Sequence, residues 1–136
     1  MAPAEAREEG DVNTGVSENS GREPGRARII DLADPGYGED TNEVQGQNHN
    51  AAVSIIVVDA PPGGGPKLHR HLYEEVFVIQ VGTVTFTAGD ETIQAKAGQV
   101  VVVPAGVPHK FVNTGTERLR QVDIHASKRF ITEWLE

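Results

Sequence analysis

The chain has 136 residues, a formal net charge of −8 at pH 7 and no cysteine. That length has room for one domain with its own core. The missing thiols exclude a disulfide framework and thiolate metal ligands, and the acidic balance argues against nucleic acid or an anionic membrane as a partner.

Residues 1–28 are rich in Glu, Gly, Ser, Asn and Arg, carry Val12 and Val16 as their only β-branched aliphatics, and hold no aromatic residue. Such a segment buries too little apolar surface to offset its ordering entropy, so it is expected to be a flexible tail ahead of a domain over residues 29–136. Its first residues lack the basic and then apolar pattern of a secretory signal, and a reducing, cytoplasmic setting is the expectation. Residues 28–32 read as a short strand, and 33–50 as turns marked by Asp34-Pro35-Gly36 and Gly38. Residues 51–59 form a Val- and Ile-rich strand that stops at Pro61-Pro62-Gly63-Gly64-Gly65. Further strands are expected at 67–72, 75–81, 83–87, 91–95, 99–103, 110–113 and 119–125, with turns at Gly82, Gly89 and Gly98. Short strands with tight turns and no long amphipathic helix between them indicate an all-β antiparallel sandwich or barrel. The longest apolar runs, such as Val100–Val103, are too short to span a bilayer. Residues 127–136 place Phe130, Ile131, Trp134 and Leu135 at helical spacing, enough for about two turns of a C-terminal helix, with Trp134 as a packing residue.

Side chains two apart on a strand share a face, so His69 and His71 set two imidazoles side by side. Glu75 keeps their parity beyond a bend at 72–74, and Lys67 keeps it on the other side. A His-x-His pair alone is a weak signal, because such pairs also occur on solvated strands. The surrounding residues add to it. Gly63 stands six residues before His69 and Gly82 seven after Glu75, and Gly98, Pro104, Gly106, His109 and Asn113 follow downstream. In these two groups the sequence resembles the cupin superfamily, whose two motifs it matches at all ten fixed positions, across residues 63–113. The resemblance implies a single antiparallel β-barrel of jelly-roll type. It also implies one divalent transition metal (Fe, Mn, Ni, Zn, Co or Cu) held by His69, His71, Glu75 and His109. Gly63, Gly82, Gly98, Pro104 and Gly106 would shape the turns, and Asn113 would serve as a structural hydrogen-bonding residue.

Three imidazoles and one carboxylate suit borderline divalent ions, and four protein ligands leave a position open for substrate or water. By parity, Phe77 and Ile79 face inward and Phe111 lies beside His109, which gives a mainly apolar cavity for a small organic molecule. Ordinary barrel filling explains the same three residues. Lys67 is a candidate anion grip, although a solvated lysine is the simpler reading. Gln121, Asp123 and His125 alternate with Val122 and Ile124, so their polar face meets either water or the pocket mouth. Gln121 is then a pocket candidate and His125 a candidate acid or base. Tyr73 and Glu74 lie at the bend between ligands, and His49 reads as a surface residue.

Cupins, by resemblance, include oxygenases, lyases, isomerases, cyclases and binding proteins, and the fold does not choose among them. The first expectation is a metal-dependent enzyme acting on a small organic metabolite, a non-haem dioxygenase or other oxidoreductase. The alternatives are a non-redox lyase, isomerase or cyclase, and a non-catalytic small-molecule-binding or sensor protein. Small cupins are commonly homodimers, and pairing would cover open sheet edges. No nucleic-acid or membrane partner is expected.

Overall fold

The computed structural model describes residues 25–32 and 41–136. Ten short strands follow one another: β1 Thr41–Val44, β2 Ser54–Ala60, β3 His69–Arg70, β4 Glu75–Val81, β5 Thr83–Ala88, β6 Glu91–Lys96, β7 Val100–Val103, β8 His109–Asn113, β9 Leu119–His125 and β10 Glu133–Trp134. They form two five-stranded antiparallel sheets, ordered β1-β2-β9-β4-β7 and β10-β3-β8-β5-β6. The core lies between them. Val58, Phe77, Ile79, Val101, Val103 and Leu119 from the first sheet meet Val84, Phe86, Ala95 and Phe111 from the second. Phe77, Phe86 and Phe111 stack edge-on or tilted, with ring centroids 4.8 to 6.0 Å apart.

The period-2 pattern accounts for this directly. On β4, Glu75, Phe77 and Ile79 are buried while Val76 and Val78 are half-exposed. The same parity buries Leu119, Gln121, Asp123 and His125 on β9. β5 and β6 join through the turn at Gly89, which takes the left-handed φ of +61°. Gly65 illustrates a close backbone approach: a Cβ there would stand 1.9 Å from the carbonyl oxygen of Phe111.

Three expectations are corrected. Among the described residues the strands form two separate sheets, compatible with a jelly-roll sandwich, and no closed barrel is found. Residues 28–32 take no strand structure, whereas Thr41–Val44, in the region read as turns, pairs with β2 as an edge strand. The Thr-Asn-Glu-Val sequence has no apolar alternation that would reveal it. The C-terminal helix is also absent. Residues 127–129 bend, the rest of the segment is non-helical, and Glu133–Trp134 pairs with β3 as β10. An isolated helix that short is marginal, while the sheet edge satisfies the backbone directly: Leu135 N–H donates to Leu68 O at 2.9 Å. Of the tail assigned to residues 1–28, residues 1–24 lie outside the described residues. Arg28 donates to the carbonyls of His49 and Asn50. Among the described residues, no helix is long and apolar enough to cross a membrane.

Candidate metal centre

Strand pairing brings the two histidine segments together. His69 on β3 is the cross-strand partner of His109 on β8, His71 follows β3, and Glu75 opens β4. One ligand atom from each of His69, His71, Glu75 and His109 lies within 4.8 Å of all the others. All four residues are buried, at 2% to 7% exposure. Glu75 Oε1 lies 3.2 Å from His71 Nε2 and 3.1 Å from His109 Nε2.

The loops around these residues fix their orientation. Each of the three imidazoles directs Nδ1 at a backbone carbonyl: His69 at Lys67 O (2.7 Å), His71 at Ile131 O (2.8 Å) and His109 at Val107 O (2.8 Å). A carbonyl only accepts, so each Nδ1 carries a proton; in the charged ring Nε2–H donates to the Glu75 carboxylate, and in the neutral ring, the form that binds a metal, Nε2 presents a lone pair inward. His71 Nε2 is buried with no hydrogen-bond partner among the described residues. A buried lone pair facing a carboxylate oxygen is what a divalent cation satisfies, and the nitrogen-rich donor set fits Fe, Mn, Co, Ni, Cu or Zn. The turn before His109 is tied to this group, because Gly106 N–H donates to His71 O at 2.8 Å. Gly106 has a φ of +80° and leaves Pro104 exposed.

The other motif residues support the loops. Asn113 donates its side-chain amide to Ala60 O and Glu117 O and accepts from Gly115 N–H. Its backbone exchanges hydrogen bonds with the glycine loop, receiving from Gly63 N–H and donating to Gly64 O. Gly63, Gly82 and Gly98 all have φ near +90°.

Electrostatics separate the carboxyls. Burial alone would raise the pKa of Glu75, but the facing imidazoles of His109, His125 and His71 outweigh it and hold the group ionised, well below its ordinary range. Burial lowers the pKa of His69 against the raising effect of the Lys67 carbonyl, with His109 and His71 adding to the lowering. Asp123 is different. Burial first, and then the charge of Glu75, push its carboxyl well up, against a hydrogen bond from Gln121 that lowers it. Burial raises Glu43 and Tyr73 as well.

A cavity of about 390 Å³ opens beside the four donors. Its wall is largely apolar, with Ile56, Val58, Phe111, Phe130 and Trp134, and it also includes Glu43, Asp123, His125 and Thr132. Among the described residues, the lining contains no Lys or Arg. Of the pocket residues expected from parity, Phe111 lines this wall. Phe77 and Ile79 are buried in the core, with the Phe77 ring 6.1 Å from that of His109. Gln121 is fully buried and donates to Asp123 Oδ1 at 2.8 Å. Lys67 is exposed, and it is its carbonyl that reaches the site. His125 lines the cavity, whereas His49 and Glu74 do not. Sequence reasoning passed over Glu43, Phe130 and Thr132, and gave Trp134 a packing role only. Trp134 is 58% exposed, with its ring 5.0 Å from His69. The period-2 spacing of Phe130, Thr132 and Trp134 was the available signal.

The family model described as "Cupin domain" matches residues 56–125. An uncharacterized protein of Streptomyces coelicolor is 38% identical over 65 residues, covering 48% of this chain and 60% of that protein. Two solved structures share the fold: the oxalate decarboxylase of Lactobacillus farciminis in complex with formate, and the oxalate decarboxylase of Bacillus subtilis, studied for its Mn(II) centres. Each is 22% identical with a TM-score of 0.67 over 75% of this chain, and the match takes in 33% and 30% of their respective chains. The chain thus corresponds to less than two thirds of each of these proteins. At this identity the structural likeness is one of fold.

Proposed function

The chain belongs to the cupin family, whose domain model takes in just over half of it, and from that premise we propose a metal-dependent enzyme acting on a small organic metabolite, in the first instance a non-haem dioxygenase. The observation that carries the reading is the shared tautomer of His69, His71 and His109, which turns three lone pairs toward Glu75 beside an apolar cavity. A divalent ion held there would supply Lewis acidity and, if redox-active, electron transfer. The chain's own residues bind and exclude. Ile56, Val58, Phe111 and Trp134 pack against an apolar substrate body and keep water away. Among the described residues the lining has no Lys or Arg, and a substrate's anionic or enolic oxygen would be drawn to the four-donor end of the cavity. Asp123, whose carboxyl burial pushes toward the protonated form, is the candidate proton donor at the cavity wall.

That buried acid favours a second reading, a lyase, isomerase or cyclase in which protons move and dioxygen takes no part. Oxygen uptake and product formation, followed with Fe(II)- and Mn(II)-loaded protein on enediols, β-dicarbonyls and hydroxy acids, separate the readings. Oxygen-dependent turnover that disappears in His71→Ala supports the dioxygenase. Turnover without oxygen uptake supports the second reading, and ligand stabilisation without turnover contradicts both in favour of a binding protein.

We also infer a homodimer. The outer face of the first sheet carries two cross-strand rows of β-branched aliphatics, Ile55–Ile124–Val76–Val102 and Val57–Val122–Val78–Val100. Val100 and Val102 are 58% and 55% exposed, and an apolar sheet face of this kind favours pairing with a second copy. The cysteine-free composition supports a cytoplasmic setting.

A further inference from the structure

The two oxygens of Glu75 have different neighbours. Oε1 faces Nε2 of His71 and His109, on the side where the four donors converge. Oε2 lies 3.0 Å from Nε2 of His125, which is outside the four-donor group and sits opposite Glu75 in the β4–β9 register. The other nitrogen of His125, Nδ1, is 2.8 Å from the Tyr73 hydroxyl. That hydroxyl oxygen accepts the backbone N–H of Ile131 at 3.2 Å. The hydroxyl can donate its O–H to Nδ1 while accepting from Ile131, and in a neutral imidazole that arrangement puts the proton on Nε2, the nitrogen that faces Glu75 Oε2.

In that arrangement His125 has the tautomer opposite to that of His69, His71 and His109. Phe130 packs edge-on against its ring at 4.8 Å, and Tyr73 stacks on His71 at 4.9 Å, so the pair is held on both sides. His125 is 2% exposed, and its Nε2 is off the line of an ideal hydrogen bond, with no aligned acceptor among the described residues. A buried N–H without an acceptor is costly, and Glu75 Oε2, 3.0 Å away, is an oxygen that can relieve it.

We propose that Tyr73 and His125 are positioning residues for Glu75. The directed chain from Ile131 N–H through Tyr73 and His125 occupies Oε2 and leaves Oε1 alone for the ion. This rests on the metal reading above and deepens it: Glu75 would bind through one oxygen, so the position that a two-oxygen carboxylate would fill would stay open to substrate or water. His125, with Nδ1 on Tyr73 and Nε2 directed at Oε2, is then a positioning residue and no general base.

The test uses the full chain and Mn(II) as probe. It combines titration calorimetry for affinity, water-proton relaxation for exchanging waters, and ¹⁵N NMR of the imidazoles in the Zn(II)-loaded native protein. The native spectrum should show His125 protonated on Nε2 and not bound to metal. Tyr73→Phe, which keeps the ring stack, and His125→Leu should each weaken Mn(II) binding about 10–100-fold. His125→Leu should also lose exchanging water as Glu75 closes onto the ion with both oxygens. His125→Gln, whose amide can donate from the position of Nε2, should recover affinity, and adding Tyr73→Phe to it should then change nothing. Native affinity and water exchange in both Tyr73→Phe and His125→Leu would overturn the proposal alone, as would a native spectrum with His125 metal-bound or protonated on Nδ1. A native protein that binds no Mn(II) would overturn the functional reading together with it.

Discussion

The space between the sheets is built to opposite rules at its two ends. At one end Phe77, Ile79, Val84, Phe86 and Leu119 are almost free of solvent and wholly apolar. At the other, His69, His71, Glu75, His109, Asp123 and His125 are nearly as buried and polar. The same strands serve both ends: β4 carries Glu75 and then Phe77 and Ile79, and β9 runs from Leu119 to His125. Burial stabilises the apolar end by itself. At the polar end it costs desolvation, which only partners can offset. Stability should therefore depend on the first end and ion binding on the second, and the two should respond separately to substitution.

The largest effect is expected at the polar end. His71→Ala should reduce Mn(II) affinity by more than the roughly 10–100-fold that loss of an outer hydrogen-bond partner costs, as calorimetry would show, while His49→Ala should leave it unchanged. At the apolar end, Phe86→Ala should cost about 3–5 kcal/mol by chemical denaturation, with the folded fraction keeping native Mn(II) affinity. A parallel loss of affinity would break the separation.

Asp123 gives a smaller, pH-dependent effect. Its pKa in the folded protein lies above the ordinary value of 3.8, so the unfolded chain gives up this proton at lower pH than the folded one. The group then weighs against folding increasingly as pH rises from 3.8 toward the folded value. Asp123→Asn keeps an acceptor for Gln121 and removes that penalty. It should raise the melting temperature more at pH 8 than at pH 4.5, and a gain confined to low pH would reverse the assigned sign. The smallest change is expected on the outer face. Val102→Lys should leave the melting temperature of the monomer and its Mn(II) affinity near native, while shifting the mass seen by light scattering from dimer to monomer.

The four candidate ligands were legible because strand parity and the motif spacings both bear on them. The strands from 54 to 125 were legible because alternation and glycine turns bound them. The facing of β9 was not. Period 2 separates two faces without saying which turns inward, and Val122 and Ile124 look more like core than Gln121, Asp123 and His125 do. The structure puts the polar face inside, where the site, rather than water, satisfies it. The C-terminus misled for a related reason. Phe130, Ile131, Trp134 and Leu135 fit a helix, while Phe130, Thr132 and Trp134 fit a strand, and only the free edge of β3 decides between them. Lys67 reaches the site through its backbone, which side-chain chemistry does not reveal.

The central claim is that His69, His71, Glu75 and His109 hold a single ion, and elemental analysis of native protein and His109→Ala, purified side by side without added metal, tests it most directly. One transition-metal ion per native chain and none in the variant is the predicted result. A metal-free native protein, or equal metal in both, would contradict it.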